Sequence, residues 1–260
     1  GIRAARVHPQ GQLSPLVVPM TASRLCRLAA FGLLATSASA PALAQTPALA
    51  TSADDLAALL SRSAPKADRH VLQLAAHAMR CALQRPELGI NGDRLSVIDY
   101  SRPSTEPRLW VFDLAHQRLL FEEWVAHGRN SGENRTQHFS NRDGSFMSSL
   151  GAFTAQETYM GGNGYSLRLA GLEPGFNDRA RERAIVIHGA PYVNPATAQL
   201  QGRLGRSLGC PAVRLSVAKP LIDALRGGTM VFAYYPDQDW LKHSQLLAGG
   251  CGGQGTLATR

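Results

Sequence analysis

The sequence predicts a mainly-β domain of sandwich type, with a few helices and a helical segment ahead of it. Three observations lead there. Eight or so short runs rich in β-branched and aromatic residues lie between residues 95 and 235, separated by turn residues. Only the stretch 67–84 combines length with apolar positions at helical spacing. The span from about residue 90 to 240 is ample for one core, and no internal repeat or second domain interrupts it.

The elements follow in chain order. Residues 45–65, rich in Ala, Pro, Ser and Thr, read as a linker that ends in a short helix over 54–61. In the helix 67–84, Val71, Leu72, Leu74, Ala75, Ala78, Met79 and Ala82 form one apolar face. His70 and His77 lie on it without acidic or cysteine partners at ligand spacing, so both read as packing or solvated side chains. Strands are expected over 95–100, 108–114 and 117–126, the last two joined by a loop containing His116. A second hairpin joins 151–160 to 165–169 across Gly161-Gly162-Asn163-Gly164. A buried strand over 184–188 delivers His188. A helix over 215–225 stops at Gly227-Gly228, a last core strand covers 230–235, and a terminal helix is expected within 237–247. The organisation is therefore an upstream tail and leader (1–44), a linker (45–66), a helical segment (67–90), a catalytic-type domain (91–247) and a Gly-rich tail (248–260).

The leader reading rests on Arg24 and Arg27 around Cys26, an apolar and small-residue run over 28–40, and Ala42-Leu43-Ala44 as a cleavage site. The run is short for a membrane span, so the expectation is an exported protein, periplasmic or in the cell envelope, with no span after cleavage. The chain carries 27 Lys and Arg against 19 Asp and Glu; Arg3, Arg6, Arg24 and Arg27 precede residue 45, leaving a net of +4 beyond it. That mild positive charge suits an anionic polymer and lacks the dense patch of a nucleic-acid binder. Beyond the leader stand Cys81, Cys210 and Cys251, an odd number in an exported chain. Cys210 is read as free and catalytic; Cys81 and Cys251 either pair or remain separate thiols.

The chemistry is concentrated in Ile187-His188-Gly189-Ala190 and, 22 positions after the histidine, Arg206-Ser207-Leu208-Gly209-Cys210-Pro211. A thiol is a strong nucleophile as thiolate, and histidine is the side chain suited to take its proton near neutral pH. Gly209 permits a sharp turn before the cysteine, so the N–H groups of Gly209 and Cys210 are candidates for an oxyanion hole. No acid follows the histidine, which makes the Gly189 carbonyl the candidate for orienting its ring. Arg206 and Arg142 are candidates for binding carboxylates, with Arg203 behind them. Tyr192, Ser207 and His127 are further candidates for lining the site, against a structural role for each. Asn194, Ser140, Asn141 and Ser145 fit turns and caps as well as they fit a pocket.

These motifs resemble the L,D-transpeptidase (YkuD-type) catalytic domain, and in particular its murein branch. The likeness runs from about Ile98 to Leu241. It includes Pro107-Arg108-Leu109-Trp110-Val111, Ala126-His127-Gly128-Arg129-Asn130-Ser131-Gly132, Phe139-Ser140-Asn141-Arg142-Asp143-Gly144-Ser145, Ser148-Ser149-Leu150-Gly151 and Gly171-Leu172-Glu173-Pro174-Gly175-Phe176-Asn177. The family signature is a histidine, an interval, then Ser/Thr-His-Gly-Cys. The resemblance implies Cys210 as nucleophile, His188 as base, Gly189 as the orienting carbonyl, and acyl transfer between peptidoglycan stem peptides without metal or cofactor. Two departures stand out: Leu208 occupies the place of the second histidine, and a longer interval adds residues 196–203. Trimming of the same stems as an L,D-carboxypeptidase, and an inert cell-wall binding module, remain open alternatives. A sortase-like enzyme would need Arg214 as its arginine and a longer interval; a papain-like peptidase has the cysteine first; a zinc peptidase needs clustered ligands that the spacing does not supply.

Overall fold

The structure, a computed structural model, describes residues 52–248 and Cys251. The leader, its cleavage site and the first part of the linker lie outside the described residues, as does most of the Gly-rich tail.

Eight strands form one hydrogen-bonded sheet: β1 (Arg94–Asp99), β2 (Leu109–Asp113), β3 (Arg118–Glu123), β4 (Gly151–Gly161), β5 (Gly164–Gly171), β6 (Val186–Gly189), β7 (Ala212–Val213) and β8 (Met230–Tyr234). Their order is β3-β2-β1-β8-β4-β5-β6-β7. The pairs β1–β8 and β6–β7 are parallel; the other neighbours are antiparallel. The mainly-sheet architecture with few helices is that expected from the strand pattern.

Period-two alternation gives the sheet two apolar faces. Leu95, Val97, Trp110, Phe112, Met230 and Phe232 point into a core shared with α1 (Ala53–Ser63) and α2 (Arg69–Leu83). Ile98, Leu109, Val111, Phe153 and Val231 point into the opposite core, closed by α4 (Leu215–Leu225). Two caps start the N-terminal helices. Ser52 Oγ accepts from the Asp55 N–H at 3.0 Å, and an Asp68 oxygen accepts from the His70 N–H at 2.8 Å. Within the stretch 45–66, the short helix expected over 54–61 is present as α1, and its Leu56, Ala57, Leu59 and Leu60 are buried in the core.

Two small elements went unforeseen. Helix α3 (Pro195–Gln201) occupies the long interval; Asn194 caps it by accepting from Ala196 and Thr197, and Pro195 stands at its first position. Strand β7 is two residues long, below what periodicity can register. The final helix, α5 (Gln238–His243), buries Trp240, whose indole N–H donates to Glu173 at 3.0 Å. Glu173 also accepts from the Ala152 N–H at 2.7 Å, while Asn177 donates to the carbonyls of Leu150 and Ala152. The Gly171–Asn177 motif is thus a clip between β4, β5 and α5, and burial pushes the Glu173 carboxyl above its usual range.

Cys81 of α2 is disulfide-bonded to Cys251, with Cα atoms 5.3 Å apart and 170 positions between them in sequence. Closing so long a loop restricts the unfolded chain, so Cys251→Ser should lower stability by about 2–4 kcal/mol in urea denaturation while leaving the folded spectrum unchanged. Intact mass should rise by two daltons on reduction of the wild type.

Candidate active site

Two strands at one end of the sheet bring the histidine and cysteine segments together. In the parallel β6–β7 pair His188 stands opposite Ala212, two residues beyond Cys210. Cys210 is therefore level with Val186, about 6–7 Å of strand from the histidine. Its Sγ lies 3.7 Å from the carbonyl of Ala184, and the Val186 N–H faces the sulfur. The thiol thus meets the segment Ala184–Val186 that leads into the histidine. Among the described residues Cys210 is the free cysteine, and it is half-buried.

His188 is buried at the end of β6, and its Nδ1 lies 3.0 Å from the Gly189 carbonyl. That carbonyl can only accept, so Nδ1 carries the proton and Nε2 presents a lone pair. Gly189 is required here by space: a Cβ would sit 2.7 Å from the Ala218 methyl of α4 and 3.1 Å from Leu215. Burial lowers the His188 pKa from the ordinary 6.5, opposed by the bond to Gly189. Burial likewise pushes the Cys210 thiol up, opposed by the Val186 N–H and the Arg183 cation. In the free protein the two groups therefore form a neutral thiol and a neutral imidazole.

Four other candidates are placed differently from expectation. The Gly209 N–H donates to Ser207 Oγ at 3.1 Å, and Ser207 Oγ donates to the Cys210 carbonyl at 2.6 Å. Ser207 is buried, and both of these bonds are spent on the turn. With Gly209 committed, Cys210 N–H is the remaining oxyanion donor of the expected pair. Gly209 itself has φ of +123°, and a Cβ there would lie 2.8 Å from the Met147 carbonyl, so only glycine fits.

His127 is corrected outright. It is buried, with Nδ1 2.7 Å from Arg108 Nη2 and Nε2 3.2 Å from the Gly132 carbonyl. Burial and the Arg108 cation bring its pKa down to about 3. Both ring nitrogens are occupied, which leaves nothing for a substrate. Arg206 spends its Nη1 on the carbonyls of Arg129 and Gly132 and on Glu133, which also pairs with Arg203. Its main part is to pin the 129–133 loop. Arg214, the residue a sortase-like reading would need, is locked by two bonds to Glu123, at 2.9 and 2.6 Å.

Tyr192 stays a candidate: half-buried, packed on Gly205, with its hydroxyl pushed up to about 12 by burial and by the neighbouring Cys210. Arg142 is exposed on the 140–149 loop and forms no ion pair among the described residues. Leu208 is exposed beside the cysteine. The residue the sequence reading missed is Arg183, whose guanidinium reaches across to the 140–149 loop. Its neighbour Ala184 has φ of +53° and supplies the carbonyl facing the thiol. A non-glycine left-handed residue before the histidine strand left no signal in composition. Among the described residues there is no group of three or more His, Cys, Asp or Glu arranged to hold a metal.

The sequence profile of the L,D-transpeptidase catalytic domain matches residues 63–234, and the chain belongs to that family. Solved structures similar to it include an L,D-transpeptidase from Mycobacterium smegmatis (15% identity, 55% of this chain and 59% of that one, TM-score 0.35). The helical cell shape determining protein Pgp2 from Campylobacter jejuni is another (14%, 62% and 57%, TM-score 0.38). So is the Enterococcus faecium L,D-transpeptidase (16%, 56% and 50%, TM-score 0.33). The chain thus covers between half and three fifths of each of these proteins. No curated protein matches.

Two substitutions check this placement. His127→Ala should cost about 1–3 kcal/mol of stability by stranding Arg108 and the Gly132 carbonyl, with Cys210 alkylation unchanged in the folded fraction. Gly209→Ala should cost more than about 1 kcal/mol and alter Cys210 alkylation, because the forbidden φ and the Met147 carbonyl both act on the turn.

Proposed function

We propose that the chain is a cysteine-dependent peptidoglycan L,D-transpeptidase, exported to the periplasm or cell envelope. The observation that carries this reading is the His188 Nδ1–Gly189 carbonyl bond, which leaves Nε2 free as a base two residues along β6 from Val186, whose N–H faces the Cys210 thiol. Family membership supports the acyl-transfer class. The Cys81–Cys251 disulfide supports an oxidising compartment.

In this mechanism the donor is a stem peptide whose third-residue carbonyl is bonded to a terminal D-alanine. His188 Nε2 takes the thiol proton as Cys210 Sγ attacks that carbonyl carbon. The Cys210 N–H stabilises the oxyanion. The carbon–nitrogen bond then breaks, the imidazolium gives its proton to the departing amine of D-alanine, and a thioester remains. The side-chain amine of a second stem attacks the thioester, His188 accepts its proton, and the departing Cys210 sulfur is reprotonated from His188. Atoms balance without metal, cofactor or redox partner.

Disaccharide-tetrapeptide incubated with wild type and Cys210→Ala, followed by mass spectrometry, tests the reading. The expected result is a thioester adduct that resolves to a dimer with loss of D-alanine, and none of it in the variant. Tripeptide alone would make the enzyme an L,D-carboxypeptidase. Binding without adduct would make the chain an inert cell-wall module. The pH profile follows from the site: His188 works as the neutral base, and its lowered pKa keeps that form below pH 6.5. The acid limb of kcat/KM should therefore fall below that value, and His188→Gln should abolish turnover.

A further inference from the structure

We propose that Arg183 is the positioning residue of the cysteine: its fork holds the wall against which the Gly209-Cys210 turn rests, and its cation serves the thiolate. This rests on reading Cys210 as the nucleophile.

The geometry begins with a tight turn into β6. The Arg183 N–H bonds the Arg179 carbonyl at 2.9 Å, the Ala184 N–H bonds Arg181 at 3.1 Å, and the Ile185 N–H bonds Ala180 at 2.9 Å. From this fixed backbone the half-buried guanidinium makes four bonds to one loop. Nη1 donates to the Ser140 carbonyl and to Ser149 Oγ, each at 2.6 Å; Nη2 donates to the Met147 carbonyl at 2.8 Å and to Ser145 Oγ at 3.1 Å. The Met147 carbonyl is also the atom that forbids a side chain at Gly209. One residue therefore secures the loop in front of the cysteine, and the next, Ala184, holds the sulfur at 3.7 Å.

All four acceptors are neutral oxygens, and Arg183 forms no ion pair among the described residues. Its charge is not cancelled by a bonded carboxylate; the exposed Asp143 is the acid that acts on it, together with the neighbouring Arg179. A loop staple alone would be served by any donor. A planar, permanently charged fork that braces the loop in front of the turn, and whose chain neighbour Ala184 meets the sulfur, serves a second purpose, stabilising the thiolate as it forms and leaves. The position just before Gly209-Cys210 carries the apolar Leu208 and supplies no such group.

The test is the pH dependence of Cys210 alkylation by iodoacetamide, read on the Cys210 peptide in substrate-free protein. The other groups facing the thiol are Tyr192 and Tyr100, both pushed up to about 12 and so neutral across the range, and His188. Arg183→Gln should move the alkylation midpoint to higher pH and slow reaction at pH 7 by about fivefold. Arg183→Lys should keep the midpoint near wild type while hydrogen exchange in residues 140–149 rises. Ser149→Ala, which removes one acceptor and leaves the charge, should raise exchange without moving the midpoint. A midpoint unmoved in Arg183→Gln, with only the loop loosened, would reduce Arg183 to a staple and overturn the proposal. If Arg183→Gln does not fold, the wild-type midpoint at low and high salt replaces it: a midpoint that rises as salt screens the cation supports the charge, and one that does not move overturns the proposal. Because no substrate is used, a shifted midpoint beside absent turnover would uphold this inference while the transpeptidase reading failed.

Discussion

The site depends on one buried cation. Arg108 is fully buried at the start of β2 and meets no carboxylate. Its Nε and Nη2 donate to the Val125 carbonyl, Nη1 to the Arg102 carbonyl and Thr136 Oγ1, and Nη2 also to His127. Its face lies over the Tyr100 ring at 5.2 Å. Burial lowers its pKa to about 10, which still leaves it charged at neutral pH. A buried charge without partners is very costly, so every one of these acceptors is under tension to stay in place. That demand fixes the segment from Val125 to Thr136. From there order passes to the cysteine: the Gly128 N–H bonds Ser148 Oγ, the Ser207 N–H bonds the His127 carbonyl, and the Arg129 N–H bonds the Ser207 carbonyl. The turn that carries Cys210 is thus suspended from a guanidinium that never approaches it.

The electrostatic state of the resting site follows from the same burial. Desolvation drives both the histidine and the cysteine towards their uncharged forms, opposed by one carbonyl for the imidazole and by one N–H and the Arg183 cation for the sulfur.

How much of this was legible in the sequence differs from element to element. The strands of the central sheet were legible because both faces are buried and β-branched and aromatic residues crowd them, as in Leu109–Asp113 and Met230–Tyr234. Helix α4 was read to the residue, since its apolar spacing ends at a glycine pair. Helix α3 was missed although Asn194-Pro195 signals a start, because a seven-residue helix has too few apolar positions to set a period. The histidine and cysteine segments stood out by residue type and spacing. The roles of His127, Ser207 and Gly209 did not, because each is decided by a hydrogen-bond partner distant in sequence or by a side chain turning back on its own backbone. Arg183 was invisible for the same reason: its partners lie between 34 and 43 positions upstream.

The parallel pairing of β1 with β8 has a kinetic consequence. Residues 95–99 find their hydrogen-bond partners at residues 230–234, and both flanking cores include side chains from β8. A chain that has emerged as far as the cysteine still lacks the strand that joins β1 to β4 at the centre of the sheet. Its two halves can form hairpins locally, yet they have no shared core. Pairings of such long sequence separation are slow to close, because loop entropy is lost before contacts return it. Cys210 is therefore synthesised before the structure that shelters it, and assembly of the protein is governed by its last strand.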